Sequence, residues 1–246
     1  MRVSDMKLRV ESISFAYSKK KIIEELSFQV DKGEFVTILG PSGCGKSTIL
    51  KLLTGLKQKQ NGRILVDGKA VEGLSLKFSY MPQEDLLLEW ETVLQNVCLY
   101  QRIHKEKYSQ EEVMQQLEAF GLKGYENAYP SELSGGMRQR VAFLRTVRCD
   151  ADILLLDEPF GALDVITRGE MQEWLRTLRQ TVNKTVLLVT HDIDEALYLS
   201  DRILIVGGSP SKIRKEFNSE TSNDARKEGT ENLALRAEIY HDLKRR

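Results

Sequence analysis

No stretch constrains this chain more than Gly40-Pro41-Ser42-Gly43-Cys44-Gly45-Lys46-Ser47. It follows the apolar run Phe35-Val36-Thr37-Ile38-Leu39 and leads into Ile49-Leu50-Lys51-Leu52-Leu53, whose apolar residues recur at helical spacing. Strand, G-x-x-x-x-G-K-[ST] loop and helix in that order make a phosphate-binding P-loop. The glycines let backbone N–H groups turn inward around a phosphate, and the helix N-terminus adds its positive end. Gly40 to Thr48 is therefore read as nucleotide-binding, with Lys46 placed to reach the β- and γ-phosphates and Ser47 to hold Mg²⁺. A glycine-rich turn with a stray lysine is the competing reading. A chance match is on the order of 1% per chain of this size, and the flanking strand and helix lower it further.

The 246 residues suffice for one substantial core with room for a subdomain. Lys plus Arg equal Asp plus Glu at 36 each, and this neutral balance speaks against a nucleic-acid-coating surface. Cys44, Cys98 and Cys149 are far apart, match no zinc spacing and suit a reduced compartment. No apolar run approaches the roughly 20 residues of a transmembrane helix, and residues 1–7 lack a signal-peptide core. The expectation is a chain that does not itself enter a membrane.

Residues 8–17 and 26–30 alternate as strands, and Asp31-Lys32-Gly33 turns the chain into the P-loop strand. Asn61-Gly62 and Asp67-Gly68 bracket Arg63-Ile64-Leu65-Val66, which predicts a small antiparallel element. Phe78-Ser79-Tyr80-Met81 is a short strand ending at Pro82-Gln83. The pattern is helical over 92–148; residues 111–120 are amphipathic and stop at Gly121. Strands return at 153–156, 186–189 and 203–206, with helices at about 165–180 and 192–199. Strand–helix alternation with continuous apolar strands predicts an α/β fold with a mostly parallel, doubly covered sheet. Residues 218–232 hold a single non-glycine apolar residue, Ala225, and read as a flexible linker. Beyond them Leu233, Ala237, Tyr240 and Leu243 suit a docked helix.

In open α/β sheets ligands collect at the carboxyl ends of the strands. Here Leu156 leads into Asp157-Glu158, Val189 into Thr190-His191, and Met81 toward Gln83. Asp157, after four aliphatic residues, has the Walker B position and is expected to hold Mg²⁺ through its water shell. Glu158 can accept a hydrogen bond from an attacking water, and His191 is expected to sense the γ-phosphate. The alternatives are a helix cap for the carboxylates and a structural role for the histidine. A second anion-binding feature is Leu133-Ser134-Gly135-Gly136-Met137-Arg138-Gln139-Arg140, where Ser134 is a good N-cap and the glycines expose N–H groups. No strand precedes it, so it is not a second P-loop.

Together these residues resemble the ATP-binding subunit of an ATP-binding cassette (ABC) transporter, over about residues 8–206. Ser134-Gly135-Gly136-Met137-Arg138-Gln139 matches that family's signature, Gln83 its Q-loop, Ala162-Leu163-Asp164 its D-loop and His191 its switch histidine. Tyr17 matches the aromatic that stacks on adenine. More narrowly, Gln83-Glu84-Asp85-Leu86-Leu87, the residues from Asp157 to Asp164, Thr167-Arg168 and Met171-Gln172 are similar to the nitrate/sulfonate/taurine importer branch. That branch usually has Pro before the tryptophan of its Q-loop region, where this chain has Glu89-Trp90, and the branch's basic, proline-containing segment is replaced by residues 218–232.

The resemblance implies a P-loop NTPase core with an antiparallel β subdomain and an inserted helical subdomain. Residues 1–217 would be one ATPase domain (core 1–83 and 150–217, helical subdomain about 84–149), followed by the linker and helix of 218–246. It implies ATP and Mg²⁺ as cofactors, the metal held by Ser47, Asp157 and Gln83, with Lys46, Gln83, Glu158 and His191 catalytic. It implies a homodimer formed on ATP binding, in which Ser134, Gly135, Gly136 and Gln139 of one chain meet the ATP held by the other and Asp164 lies in the D-loop. The partners implied are integral-membrane permease subunits and, indirectly, an extracytoplasmic solute-binding protein, with no nucleic acid. The place implied is the cytoplasmic face of a bacterial membrane, peripherally attached. The exposed run Leu86-Leu87-Leu88 suggests that residues 83–90 carry the permease contact. Soluble ABC-type ATPases of DNA repair or translation are the rival; they carry a long coiled coil or tandem cassettes, neither of which is seen here. A non-enzymatic nucleotide sensor would lack the base at Glu158.

Overall fold

A computed structural model describes residues 6–161, 163–182, 184–218 and 230–244, with the side chains of 178–182 and 230–232 left aside. Its strands form a single ten-stranded sheet in the order β5-β4-β1-β2-β10-β9-β3-β8-β7-β6. The elements are β1 (Met6–Tyr17), β2 (Lys20–Asp31), β3 (Phe35–Leu39), β4 (Asn61–Val66), β5 (Lys69–Ala70), β6 (Phe78–Met81), β7 (Ile153–Asp157), β8 (Thr185–Thr190), β9 (Arg202–Gly208) and β10 (Ser211–Asn218). Helix α1 (Lys46–Leu53) follows the P-loop. Helices α2 (Val93–Val97), α3 (Leu99–His104), α4 (Gln110–Ala119) and α5 (Gly135–Val147) lie between β6 and β7. Helices α6 (Val165–Val182), α7 (Ile193–Leu199) and α8 (Thr230–Lys244) complete the order.

The central strands are parallel because their crossovers are helical. β9, β3, β8, β7 and β6 run in one direction, while β5, β4, β1 and β2 pair antiparallel at the other flank. Every residue of β3, β7 and β8 is buried. Alternate residues feed opposite layers, as the two-residue period of a strand demands. Leu154, Leu156, Val186 and Leu188 join the core shared with the helices of the 84–149 region, and Ile153, Leu155, Leu187 and Val189 join the core under α1 and the antiparallel strands. Among the described residues no helix is long and apolar enough to cross a membrane.

The sheet is wider than the apolar runs suggest. β10 carries Lys212, Arg214, Lys215 and Glu216, so it has no apolar run, yet it pairs antiparallel with β9 and touches β2 at Ser211 and Ile23. It buries only Ser211 and Phe217. The proposed linker lies mostly at 219–229, outside the described residues.

Of the four tail-helix residues expected to dock, only Leu243 does, and the seam runs one face round from the others. Ile239 is fully buried against Leu39, Ala196, Leu197, Ile203, Ile205 and Phe217, with Leu235 and Leu243 beside it. Leu233 and Tyr240 are exposed. The seam is thus 235/239/243, a stack of i, i+4 neighbours, reinforced at its edges by Arg236–Asp194 and by Lys215 with Glu238 and Asp242. Ile239→Ala should cost about 2–5 kcal/mol, the usual range for emptying a buried isoleucine site. Urea unfolding should show it, with ATP affinity under native conditions unchanged because none of the residues 40–47 belongs to the buried cluster around Ile239.

Candidate active site

Strand register decides where the polar residues emerge. Leu39 of β3 lies opposite Thr190 of β8, Asp157 of β7 opposite Val189 of β8, and Met81 of β6 opposite Leu156. The chain therefore leaves the sheet at one level at Gly40, Glu158, His191 and Pro82, along the edge where such sheets bind ligands.

The P-loop is fixed by close backbone approach. A Cβ on Gly40 would stand 2.3 Å from the Val206 carbonyl oxygen. Gly45 adopts φ 101° at the start of α1, and a Cβ there would meet Ile22 at 2.9 Å. No side chain caps α1, which leaves its first-turn N–H groups for an anion. Lys46 is buried, donating to the carbonyls of Gly40 at 2.8 Å and Pro41 at 3.1 Å. The Cys44 thiol is buried, and burial pushes its pKa up, which makes it an inert wall of the loop.

Asp157 is 2% exposed. Ser47 Oγ donates to its Oδ1 at 2.9 Å and the Tyr80 hydroxyl to its Oδ2 at 3.2 Å. Burial pushes the Asp157 carboxyl up, and these two hydrogen bonds pull the other way. Burial, and then the charge of Asp157, push the Tyr80 phenol up as well, so Tyr80 stays a donor. A hydroxyl and a carboxylate, oxygen donors only, suit a hard divalent cation such as Mg²⁺. Gln83 is exposed beyond β6 and bonds to neither of them among the described residues.

Glu158 follows in a left-handed conformation, φ 49°, with its N–H donating to the Val189 carbonyl at 2.9 Å. Its carboxylate stands 3.9 Å from Lys46 Nζ and 3.3 Å from His191 Nδ1. A non-glycine residue at positive φ is a stored strain of the kind that collects at working sites. It aims this carboxylate along the strand ends while Asp157 points inward.

Tyr17 is exposed at the end of β1, edge-on to Phe15, with the Lys57 ammonium 5.5 Å above its ring. Ser134 caps α5 by accepting from the Met137 N–H at 3.3 Å. Asp164 accepts from the N–H groups of Ile166 and Thr167 at 3.1 Å each, opening α6; Ala162 lies outside the described residues. Gln139, grouped with the signature on sequence, is buried: one turn past the glycines, the helix has rotated that side chain into the body. Leu87 departs from the exposed run expected of residues 86–88. It is 7% exposed and part of the core, while Leu86 and Trp90 carry the exposed apolar surface.

Sequence reasoning also missed the contacts of Arg138. Its guanidinium grips Asp85 at 2.8 and 3.1 Å and Glu89 at 2.6 Å. Arg145, two turns further along the same face of α5, donates to the carbonyls of Asp85 at 2.7 Å and Leu86 at 2.9 Å. The only signal in the sequence was the unusual Glu89.

A phosphate loop, a buried strand-end carboxylate bonded to the loop's serine and an adjacent glutamate define a P-loop ATPase. Over residues 23–161 the chain matches the family model described as ABC transporter. It is 44% identical over 214 residues to the aliphatic sulfonates import ATP-binding protein SsuB of Bacillus cereus, spanning 85% of each chain. It is 45% identical over 206 residues to the formylaminopyrimidine import ATP-binding protein ThiZ of Halalkalibacterium halodurans, spanning 82% of this chain and 80% of that one. A dimeric ATP-binding cassette solved in a post-hydrolysis state with ADP and Pi superposes with TM-score 0.77 at 28% identity, over 87% of this chain and 99% of that one. The chain belongs to the ABC transporter family, as one of its ATP-hydrolysing cassettes.

Asp157 sets up a measurable conflict between stability and function. Its folded pKa lies above its unfolded one, so the ionised carboxylate weighs against the fold. That penalty is absent below the unfolded pKa of about 3.9 and grows as pH rises through the folded value. In EDTA without nucleotide, Asp157→Asn should therefore melt no higher than wild type near pH 4, and higher than wild type near pH 7.

Proposed function

We propose that this chain is the ATPase subunit of an importer of small solutes, working as a head-to-tail homodimer beneath separate permease subunits. The observation that carries this is the level line of Lys46, Ser47–Asp157 and Glu158–His191 across three adjacent parallel strands. Ser47 and Asp157 would hold Mg²⁺, with Gln83 reaching it when the site closes. Lys46 exchanges its own loop carbonyls for phosphate oxygens, and Tyr17 stacks on the base. Glu158 accepts the proton of the attacking water, and His191 holds Glu158 and the γ-phosphate in register. The bound metal neutralises phosphate charge; the remaining work is positioning.

Ser134, Gly135 and Gly136 lie on α5, which belongs to the helical region and not to the P-loop edge. One chain so has two anion-binding helix starts and one P-loop, which a head-to-tail pair reconciles. The dimeric state of the related solved cassette supports the same arrangement. We divide the chain into a core of 1–83 and 150–217 and a helical block of about 84–149. The SsuB and ThiZ relatives match at nearly equal identity but bear the names of different cargoes. Cargo choice therefore belongs to the permease and an extracytoplasmic binding protein, and this chain sits peripherally on the cytoplasmic face. A sulfonate-like or similarly small organic solute fits the branch.

Within residues 83–90 the permease contact is assigned in this reading to Leu86 and Trp90, the large apolar side chains exposed there. Trp90→Glu should lower the fraction of the chain recovered with membranes and leave the ATPase rate of the purified subunit within about twofold, since surface substitutions rarely disturb a fold. Unchanged membrane recovery would remove Trp90 from the contact.

Glu158→Gln tests the dimer. Hydrolysis should fall by about 10²–10⁴-fold, the share credited to a general base, while ATP binding survives on Lys46, Ser47 and Asp157. With MgATP held uncleaved, the variant should run as a dimer by light scattering, and as a monomer with ADP. A variant that binds saturating MgATP and stays monomeric would overturn the head-to-tail reading.

A further inference from the structure

We propose that Tyr80 is a positioning residue for the metal: its hydroxyl fixes the Asp157 carboxylate so that the oxygen facing Ser47 is presented to the cation in one orientation. The inference rests on the assignment of Ser47 and Asp157 to the metal and adds a residue that neither the P-loop nor the Walker B pattern contains.

Register makes the contact possible. Tyr80 lies opposite Leu155 in the parallel β6–β7 pair. Leu155 and Asp157 are two residues apart and share a face of the sheet, so the long phenol reaches diagonally past Leu155 to the carboxylate. Its ring packs against the core that holds Leu155, while the hydroxyl ends 3.2 Å from Asp157 Oδ2. Phenylalanine or leucine would fill the same apolar space. Only tyrosine also brings a donor to the second oxygen of a carboxylate that is 2% exposed.

With Oδ1 accepting from Ser47 at 2.9 Å and Oδ2 from Tyr80, both oxygens of Asp157 are held. Without Tyr80 the carboxylate keeps one tether and can rotate about its Cβ–Cγ bond, so the metal must order it on binding. Outer partners of metal-binding groups are typically worth 10–100-fold in metal affinity or activity. Asp157 is expected to act through the metal's water shell, so the lower end, about 10-fold, applies here.

The test is Tyr80→Phe, read by Mn²⁺ binding in electron paramagnetic resonance titrations of the ADP-bound protein. Mn²⁺ affinity should fall about 10-fold, while ADP affinity in EDTA stays near wild type. Asp157→Ala is run beside it, together with the double variant. Tyr80→Phe should have no further effect on Mn²⁺ affinity once Asp157 is gone, whereas a merely structural tyrosine would weaken binding in both backgrounds. If Asp157→Ala weakens Mn²⁺ binding and Tyr80→Phe leaves it within twofold, the role of Tyr80 is overturned and the site assignment stands. If Asp157→Ala leaves Mn²⁺ affinity unchanged, the assignment of Asp157 fails, and the inference about Tyr80 with it. If Tyr80→Phe also loses ADP binding in EDTA, Tyr80→Trp, which keeps a ring and brings back an N–H donor, must recover both nucleotide and Mn²⁺ binding; recovery of nucleotide alone counts against the proposal.

Discussion

The Asp157 carboxylate, closed off at the end of an aliphatic strand, is the interaction on which the rest depends. Isolated charge in such a place is prohibitively costly, and it persists because Ser47 and Tyr80 each bring a hydroxyl to it. The two donors and their acceptor come from three separate places in the chain: Ser47 from the P-loop helix, Tyr80 from the short strand β6 and Asp157 from β7. Only a parallel sheet with β6 opposite β7 and β3 beyond β8 assembles them. The topology is thus the means of keeping one carboxylate charged in a dry place, ready for a cation that would relieve it.

How much of this was legible in the sequence follows from the range of the signals. The P-loop, Asp157-Glu158 and Thr190-His191 could be read because each lies directly after its own apolar strand, and one strand plus one polar residue is a local pattern. Tyr80 could not be, because its partner is 77 residues away and the contact exists only through the β6–β7 register. β10 was missed since strand prediction from a single chain needs alternation or an apolar run, and Ser211-Lys212-Ile213-Arg214-Lys215-Glu216 offers neither. It forms by hairpin pairing to β9, so its stability is borrowed from a neighbour. The tail helix shows the limit of periodicity: Leu233-Ala237-Tyr240-Leu243 and Leu235-Ile239-Leu243 are both plausible seams sharing Leu243, and contact with Leu39 and Phe217 selects the second.

Leu86-Leu87-Leu88 makes the same point about short apolar runs. Three adjacent leucines cannot all face one way. Leu87 goes into the core with Val93 and Val97, and Leu86, at φ 44°, is turned outward. The turn keeps this shape because Arg145 takes the carbonyls of Asp85 and Leu86, satisfying backbone groups that a tight, partly buried turn would otherwise leave without partners.

That turn also fixes how the exposed surface at Leu86 and Trp90 communicates with the rest of the cassette. Arg138 sits two residues past Gly136 on α5 and holds Asp85 and Glu89 together, on either side of the leucines. A bidentate arginine–carboxylate pair is directional in a way that a lysine contact is not. Both ends of the turn are therefore tied to the same guanidinium on the first turns of α5. Where the importer branch usually has Pro, the fixed φ of the ring would hold the turn; here Glu89 instead pairs with Arg138. Such a link is softened by salt in proportion to its exposure, and Glu89, half exposed beside the more sheltered Asp85, is the end that yields first.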